Sequence, residues 1–252
     1  LPKKDLHQLN MSKEILINEE YGTLLNNVKT GDYVEIPTPN EVSNYLPSYR
    51  YAQIYYEDDD LAIVMKPKGV KTHPNDLKES NTLMNHVIYT VDSEYVEPIH
   101  RLDQETVGLL IVAKNPLMKK ILDRMLEYNE ITRIYKANVK ALLPIKPQTI
   151  DMPIGKDKFH SNKRRISNTG QRAITHIIDS KMIKEGVCQL DIKLDTGRTH
   201  QIRVHLAEIG HPVIGDPLYG TSTLRQLELN SHQIEFTHPL TQEIISVSLD
   251  DK

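Results

Sequence analysis

His100-Arg101-Leu102-Asp103-Gln104-Glu105-Thr106-Val107-Gly108 runs directly into Leu109-Leu110-Ile111-Val112-Ala113, and Lys114-Asn115-Pro116 closes the stretch. A dense polar loop therefore leads into a short aliphatic segment with glycine before it and proline after it. That length, with its branched side chains, reads as a buried strand. Asp103 sits on the loop that enters the strand, where rigid backbone can aim a carboxylate. Alone, an aspartate in such a loop reads as closing an Asx turn. Its neighbours His100, Arg101, Thr106 and Gly108 make the loop a candidate site.

Working outward toward the C-terminus, Pro116 to Glu127 has the pattern of an amphipathic helix. Leu117, Ile121 and Met125 recur every four residues beside Leu122 and Leu126, with Lys119, Lys120, Asp123 and Arg124 elsewhere. Pro116 suits the first helical turn, where a missing N–H is harmless. Arg133 to Leu142 alternates: Tyr135, Ala137, Val139 and Ala141 share one face, while Lys136, Asn138 and Lys140 share the other. This is the signature of a half-buried strand with Tyr135 inward. Ile154 to Gly170 is polar and basic, carrying Lys156, Lys158, Lys163, Arg164 and Arg165, and reads as a long excursion rather than a core element. Gln171 to Ser180 and Val187 to Asp195 return to strand, with Cys188 alternating among core residues. Thr196-Gly197-Arg198-Thr199-His200-Gln201-Ile202-Arg203-Val204-His205-Leu206 opens a helix whose buried stripe is Ile202, Leu206 and Ile209, and Gly210 ends it. A turn-rich return, Gly215-Asp216-Pro217-Leu218-Tyr219-Gly220, precedes two short strands between Ile234 and Leu249.

Toward the N-terminus, Ile54 to Val64 predicts two strands around the acidic turn Glu57-Asp58-Asp59-Asp60, read as solvated because its carboxylates lack the spacing of a calcium loop. Lys66-Pro67-Lys68-Gly69-Val70 and His73-Pro74 read as loop. Residues 51–252 form the main domain, residues 37–50 a polar, proline-containing linker, and residues 1–36 a separate small unit in which Gly31-Asp32 turns into a strand.

The chain has 252 residues, a formal net charge of -3 and 38% hydrophobic residues, enough for one large domain with a small appendage. No apolar run approaches the roughly 20 residues of a membrane span, and no secretory leader is expected from the first residues. A single cysteine, Cys188, excludes a disulfide framework or a cysteine-rich zinc site and fits a reducing, cytoplasmic setting. The acidic total hides a polarised distribution. Between Ile154 and Arg203, eleven Lys and Arg stand against five Asp and Glu, a local field that suits an anionic partner.

Three separated motifs carry a family resemblance. His100 to Gly108, Tyr135 in its strand, and Thr196 to Arg203 agree in order and spacing with the signatures of the RluA-type pseudouridine synthases. Leu229-Asn230-Ser231 and Phe236-Thr237-His238-Pro239 are similar to that family's tail, and Lys66 to Val70 with His73-Pro74 matches a family turn near its active site. Val107 stands where serine is usual, and Asn230 where histidine is usual. Residues 1–36 resemble the closing part of an S4-type RNA-binding domain. The resemblance implies an α+β pseudouridine synthase fold, with a mixed, largely antiparallel central sheet flanked by helices. It implies isomerisation of uridine to pseudouridine in structured RNA, with ribosomal RNA favoured over tRNA. A monomer is expected, working without membrane, cofactor or metal.

That reaction detaches uracil from ribose at nitrogen and rejoins it through carbon, with no redox change. Breaking a bond at an anomeric carbon calls for a carboxylate that attacks it or stabilises positive charge there. By resemblance Asp103 is that nucleophile, Arg203 is the cation that keeps it ionised and directed, and Tyr135 packs against the base and helps move the proton from carbon 5. The nucleotide must be flipped out of its stack, and Arg101 is the candidate to fill the space or hold a phosphate. His100, Lys163, Arg164, Arg165, Arg198 and His200 complete the expected RNA contacts. Three other readings stand beside this one. Asp103 and Glu105 as a glycosidase pair lie two residues apart in one loop, whereas such pairs flank the substrate. His200 and His205 as metal ligands are five apart, not the three or four that align on a helix. A catalytically silent RNA-binding protein has no use for Asp103, Tyr135 and Arg203 together.

Overall fold

The structure, a computed structural model, describes every residue except 1–6, 8, 10, 13, 23–27, 38, 39, 77, 221–225 and 252. The linker reading at Thr38 and Pro39, and much of the S4-like reading of 1–36, thus lie outside the described residues. Near the N-terminus β1 (Leu16–Ile17), β2 (Glu20–Tyr21) and β3 (Val34–Glu35) form a small antiparallel sheet in the order β2-β1-β3. The turn expected at Gly31-Asp32 is present: Gly31 has φ +98°, and Asp32 accepts hydrogen bonds from the Lys29 N–H and the Asn18 side chain.

The main domain is built on a ten-stranded sheet. Its strands are β4 (Gln53–Glu57), β5 (Leu61–Lys66), β6 (Glu97–Pro98), β7 (Val107–Ala113), β8 (Thr132–Lys140) and β9 (Gln148–Asp151), then β12 (Ile174–Lys184), β13 (Val187–Leu194), β14 (Leu229–Thr237) and β15 (Ile244–Ser248). Between β9 and β12 the chain makes a separate hairpin of β10 (Ile154–Lys156) and β11 (Arg164–Ile166). The sheet order is β4-β5-β7-β14-β8-β13-β12-β9, with β6 beside β7 and β15 beside β14. Every pairing is antiparallel except β7 with β14, so the sheet is mixed and largely antiparallel. The parallel pairing places Gly108 against Ser231. Gly108 has φ +126°, and a Cβ there would collide with the Ser231 backbone, so only glycine lets β14 close on the end of the polar loop.

Helices α1 (Leu83–Thr90), α2 (Pro116–Glu127) and α3 (Gln201–Glu208) cover the sheet on both faces. Ala62, Val64, Leu110 and Val112 join a core with α1 and α3; Leu61, Ile63, Leu109 and Ile111 join a second core with α2. A strand buried on both faces has no polar side to alternate with, which is why Leu109 to Ala113 is uniformly aliphatic. Among the described residues no helix is long and apolar enough to cross a membrane.

The structure corrects three local readings. Helix α2 has the expected ends, with Asn115 accepting the Met118 N–H at 2.7 Å; it buries Met125 and Leu122 of the expected apolar face together with Met118, and leaves Leu117 and Ile121 half-buried. Two adjacent rows were equally apolar, and packing against the second core selects one. Helix α3 is buried all along Gln201 to Leu206, not on one stripe. Its outer side is covered by the β10–β11 hairpin, where Ile154 packs with Ala173 and Val204. The stretch Ile154 to Gly170 is therefore not a solvated excursion throughout: its root is core, and only its tip, with Phe159 89% exposed, stands in solvent. The acidic turn lies between β4 and β5 with Glu57 and Asp59 exposed, as expected, and is also hydrogen-bonded. Asp58 accepts the N–H groups of Asp60 and Leu61, each at 2.8 Å, and the Tyr56 hydroxyl at 2.7 Å.

Candidate active site

The polar loop before β7 is pinned from beneath by the turn after β5. Thr72 Oγ1 donates to the Leu102 carbonyl (3.0 Å) and accepts the Leu102 N–H (3.1 Å), and the Gly69 N–H donates to the Gln104 carbonyl (2.9 Å). Lys66 is fully buried and spends its ammonium on the carbonyls of Pro67, Val70 and Gln104. Burial pushes its pKa down to about 8. The Thr106 N–H closes the loop on the Asp103 carbonyl at 3.0 Å. Asp103 is thus held at the backbone, with its side chain 21% exposed to a cavity of about 520 Å³, a size ordinary for a small-molecule site.

Across the cavity, α3 presents Arg203, whose side chain is 3% exposed. Its Nη1 donates to Asp103 Oδ2 at 3.0 Å, while Nε and Nη2 each donate to Asp216 at 2.8 Å. Asp216 is fully buried in the Gly215–Gly220 turn and also accepts the N–H groups of Leu218 and Tyr219. Burial alone would raise the Asp216 carboxyl, but the Arg203 guanidinium and the two N–H groups hold it below the usual carboxylate range. Burial likewise opposes the Arg203 charge, and Asp216 with Asp103 holds it above the ordinary arginine value. The fork–fork pair fixes the guanidinium plane, leaving Nη1 to orient Asp103.

His200 precedes α3 in a left-handed conformation, φ +59°. Its Nε2 lies 3.9 Å from Asp103 Oδ2, and its Nδ1 shares a hydrogen bond with the Tyr219 hydroxyl at 2.9 Å. Tyr219 Oη already accepts the Arg164 N–H at 2.8 Å, so its own proton is free for Nδ1, which assigns the ring proton to Nε2. Burial pushes the His200 pKa down. On the sheet side, Tyr135 is 4% exposed, lines the cavity, and has no hydrogen-bond partner for its hydroxyl among the described residues.

The cavity therefore collects Asp103, Tyr135, Arg203, His100, Arg101, Arg198 and His200. Arg101 and Arg198 are exposed at its rim, Arg198 donating to the Arg172 carbonyl at 2.9 Å. Lys163, Arg164 and Arg165 do not line it; they lie on the hairpin, joined to the cavity through Arg164 and Tyr219. The spacing arguments against the other readings agree with the geometry. Glu105 turns outward to Lys68 at 3.7 Å, and both His205 ring nitrogens are engaged in the core, by Thr175 and by the Met152 carbonyl. Three wall or supporting residues were not singled out from the sequence: Asp216, Tyr219 and Arg133. For Arg133 there was a signal, since it shares the inward parity of Tyr135 on β8.

The family model described as RNA pseudouridylate synthase matches residues 60–208, and one described as RluD ribosomal pseudouridine synthase N-terminal domain matches residues 1–34. The uncharacterized RNA pseudouridine synthase YhcT of Bacillus subtilis (strain 168) is 40% identical over 243 residues, covering 92% of this chain and 80% of that protein. Ribosomal large subunit pseudouridine synthase D of Nitrosomonas europaea is 36% identical over 208 residues, 77% of this chain and 60% of that protein. Among solved structures, human RNA pseudouridylate synthase domain containing 1 is similar with a TM-score of 0.63 at 26% identity, covering 80% of this chain and 84% of that one. The matched span contains the Asp103 loop, Tyr135 and the Thr196–Arg203 motif, and the chain belongs to the RluA-type RNA pseudouridine synthases, isomerases that turn uridine into pseudouridine.

Proposed function

We propose that the chain isomerises a uridine of ribosomal RNA, with Asp103 as the nucleophile at the anomeric carbon. The observation that carries this reading is the Asp103–Arg203 hydrogen bond of 3.0 Å on the cavity wall, with Arg203 locked from behind by Asp216. An ionised, pre-aimed carboxylate is what cleavage of the N1–C1′ bond requires. The detached uracil turns within the cavity, C5 bonds to C1′, and the C5 proton is lost while N1 gains one. The unpartnered Tyr135 hydroxyl is the group placed to carry that proton. No redox partner, cofactor or metal enters this balance. Ribosomal RNA is favoured because relatives at this level of identity are named for the large ribosomal subunit. Arg101, Arg198 and His200 at the cavity, with Lys163, Arg164 and Arg165 on the hairpin, supply the contacts to a flipped nucleotide and its flanking backbone. The chain is organised as an S4-like unit over residues 1–36, a linker over 37–50 and the catalytic domain over 51–252, acting as a monomer in the cytoplasm.

The test is Asp103→Asn. The variant is expected to bind ribosomal RNA like the parent and to lose turnover by about four orders of magnitude or more, the scale of a removed nucleophile. Multiple turnover by the purified variant would remove Asp103 from the role. Mapping pseudouridine in RNA from cells with and without the protein identifies the target; a change confined to tRNA would overturn the ribosomal assignment.

A further inference from the structure

A second arginine faces the same cavity and is left unsatisfied. Arg133, on β8 two residues before Tyr135, is 4% exposed, yet its guanidinium makes no ion pair or hydrogen bond with any described residue, and its Nε–H is buried without an acceptor. His100 on the same wall repeats the pattern. Its Nε2 accepts the Ile111 N–H at 3.4 Å, which leaves the proton on Nδ1, and Nδ1 is buried without a partner. Burial, then the Arg133 charge, pushes the His100 pKa down to about 3, so the ring stays neutral. The wall therefore carries two idle donors, one of them cationic.

An arginine cannot shed its proton to escape burial, and buried donors without acceptors are rare enough to require an explanation. Gly197 passes beside the guanidinium, where a Cβ would stand in ordinary contact with Nη1 at 3.8 Å, and the cavity that Arg133 lines gives the access. The rim carboxylates Asp123 and Asp195 are engaged by Lys119 and His176. Besides Asp103, that leaves Glu127 as the competing carboxylate on this wall among the described residues. A uracil carbonyl would accept one hydrogen bond but leave the charge uncompensated. A phosphodiester supplies both the charge and the oxygens, in the geometry a guanidinium fork matches.

We propose that Arg133, assisted by the Nδ1–H of His100, is a subsite for one RNA phosphate, holding the backbone beside the flipped uridine. This rests on the reading of the cavity as the uridine site, and the test separates the two. In ¹⁵N-labelled protein, the Arg133 Nε–H signal is identified by its absence from Arg133→Lys, with Arg133→Gln as the second identifier should that variant not fold. Uridine 5′-monophosphate, inorganic phosphate and uridine are then titrated at constant ionic strength. The signal is expected to shift saturably with the two phosphates and to stay in place with uridine. In parallel, Arg133→Gln is expected to weaken RNA binding about tenfold and to flatten the log K against log salt slope by about 0.7–0.9, the value for one neutralised phosphate, with Arg133→Lys restoring part of both. An equal shift with uridine makes the base the acceptor and overturns the subsite, as does no shift with any probe. A signal moved by Glu127→Gln but not by phosphate also overturns it, because that carboxylate then satisfies the arginine. The titration is repeated in Asp103→Asn. A phosphate shift retained there supports the subsite even if the nucleophile assignment fails on turnover.

Discussion

Arg203 and Arg133 line one cavity at nearly the same depth, 3% and 4% exposed, and the fold treats them in opposite ways. Arg203 comes from α3 and has all three guanidinium nitrogens engaged: Asp216 holds two of them and Asp103 a third. Arg133 comes from β8 and, among the described residues, is held by no side chain. A buried cation with all its partners built in is rigid before substrate arrives, so its contribution is to the rate. A buried cation with none gains its partner on binding, so its contribution is to affinity. On the proposed reading, the two walls of the cavity divide positioning from capture.

The largest effect is expected from Arg203→Leu. Asp103 loses its guide, and misplacement by about 1 Å or loss of one oriented charge costs between about 100- and 1,000-fold in single-turnover rate. Asp216 is left buried without its cation, which destabilises the fold by about 3–5 kcal/mol. The double change Arg203→Leu with Asp216→Leu should recover stability in urea unfolding without recovering the rate. A parent-like rate in either variant, with RNA saturating, would erase the division between the walls.

Tyr135→Phe comes next, because Tyr135 stands beside Arg133 but is assigned to the chemistry. Removing only the hydroxyl is expected to slow single turnover about 100-fold, the lower end of what a positioned proton carrier contributes, with RNA affinity held. A rate close to the parent's would leave packing as the whole of its role. Smaller still is the effect of the hairpin. Neutralising Lys163, Arg164 and Arg165 should lower RNA affinity and flatten the salt dependence by somewhat under one unit for each phosphate that is no longer neutralised. An unchanged salt slope would confine RNA capture to the cavity itself.

The last prediction concerns the protonation of His100 and is read in stability alone, with no effect on the rate or on RNA affinity near pH 7. In the fold its pKa is pushed down to about 3, whereas in the unfolded chain it titrates near the ordinary value of about 6.5. Between those two pH values the unfolded chain binds the extra proton, so stability falls as pH falls through that window. Urea unfolding from pH 7 to pH 4 should show a shallower acid loss in His100→Gln than in the parent. Parallel losses would mean that His100 does not stay neutral on the Arg133 wall.

Some of this was legible one residue at a time. Leu109 to Ala113 announced a buried strand, Pro116 suited the first turn of α2, and the alternation of Ala137 and Val139 turned Tyr135 inward. Each is a local pattern written in two or three turns of chain. Helix α3 was harder. Ile202, Leu206 and Ile209 described one stripe correctly, but nothing near them in sequence said that Ile154 and Ala173 would cover Val204 from the other side. The hairpin misled for the same reason: its five basic residues are mostly exposed or half-buried, while the single Ile154 that roots it is buried.

The order of motifs in the chain carried the resemblance to the family, and that resemblance implied the mixed sheet; periodicity by itself recorded which face of an element is apolar and set the Asp103 loop at the start of a buried strand. The tertiary structure alone decided what lies across from each of those faces. The resemblance had already paired Asp103 with Arg203, one hundred residues away; the structure set that contact at 3.0 Å, placed Asp216 behind the arginine, and buried Arg133 with no counterpart among the described residues. The physical reason is that a charged side chain's partner is chosen by where elements pack, and that choice is long-range. A sequence carries the charges themselves, but whether they are paired depends on distances that exist only after the sheet has closed around α3.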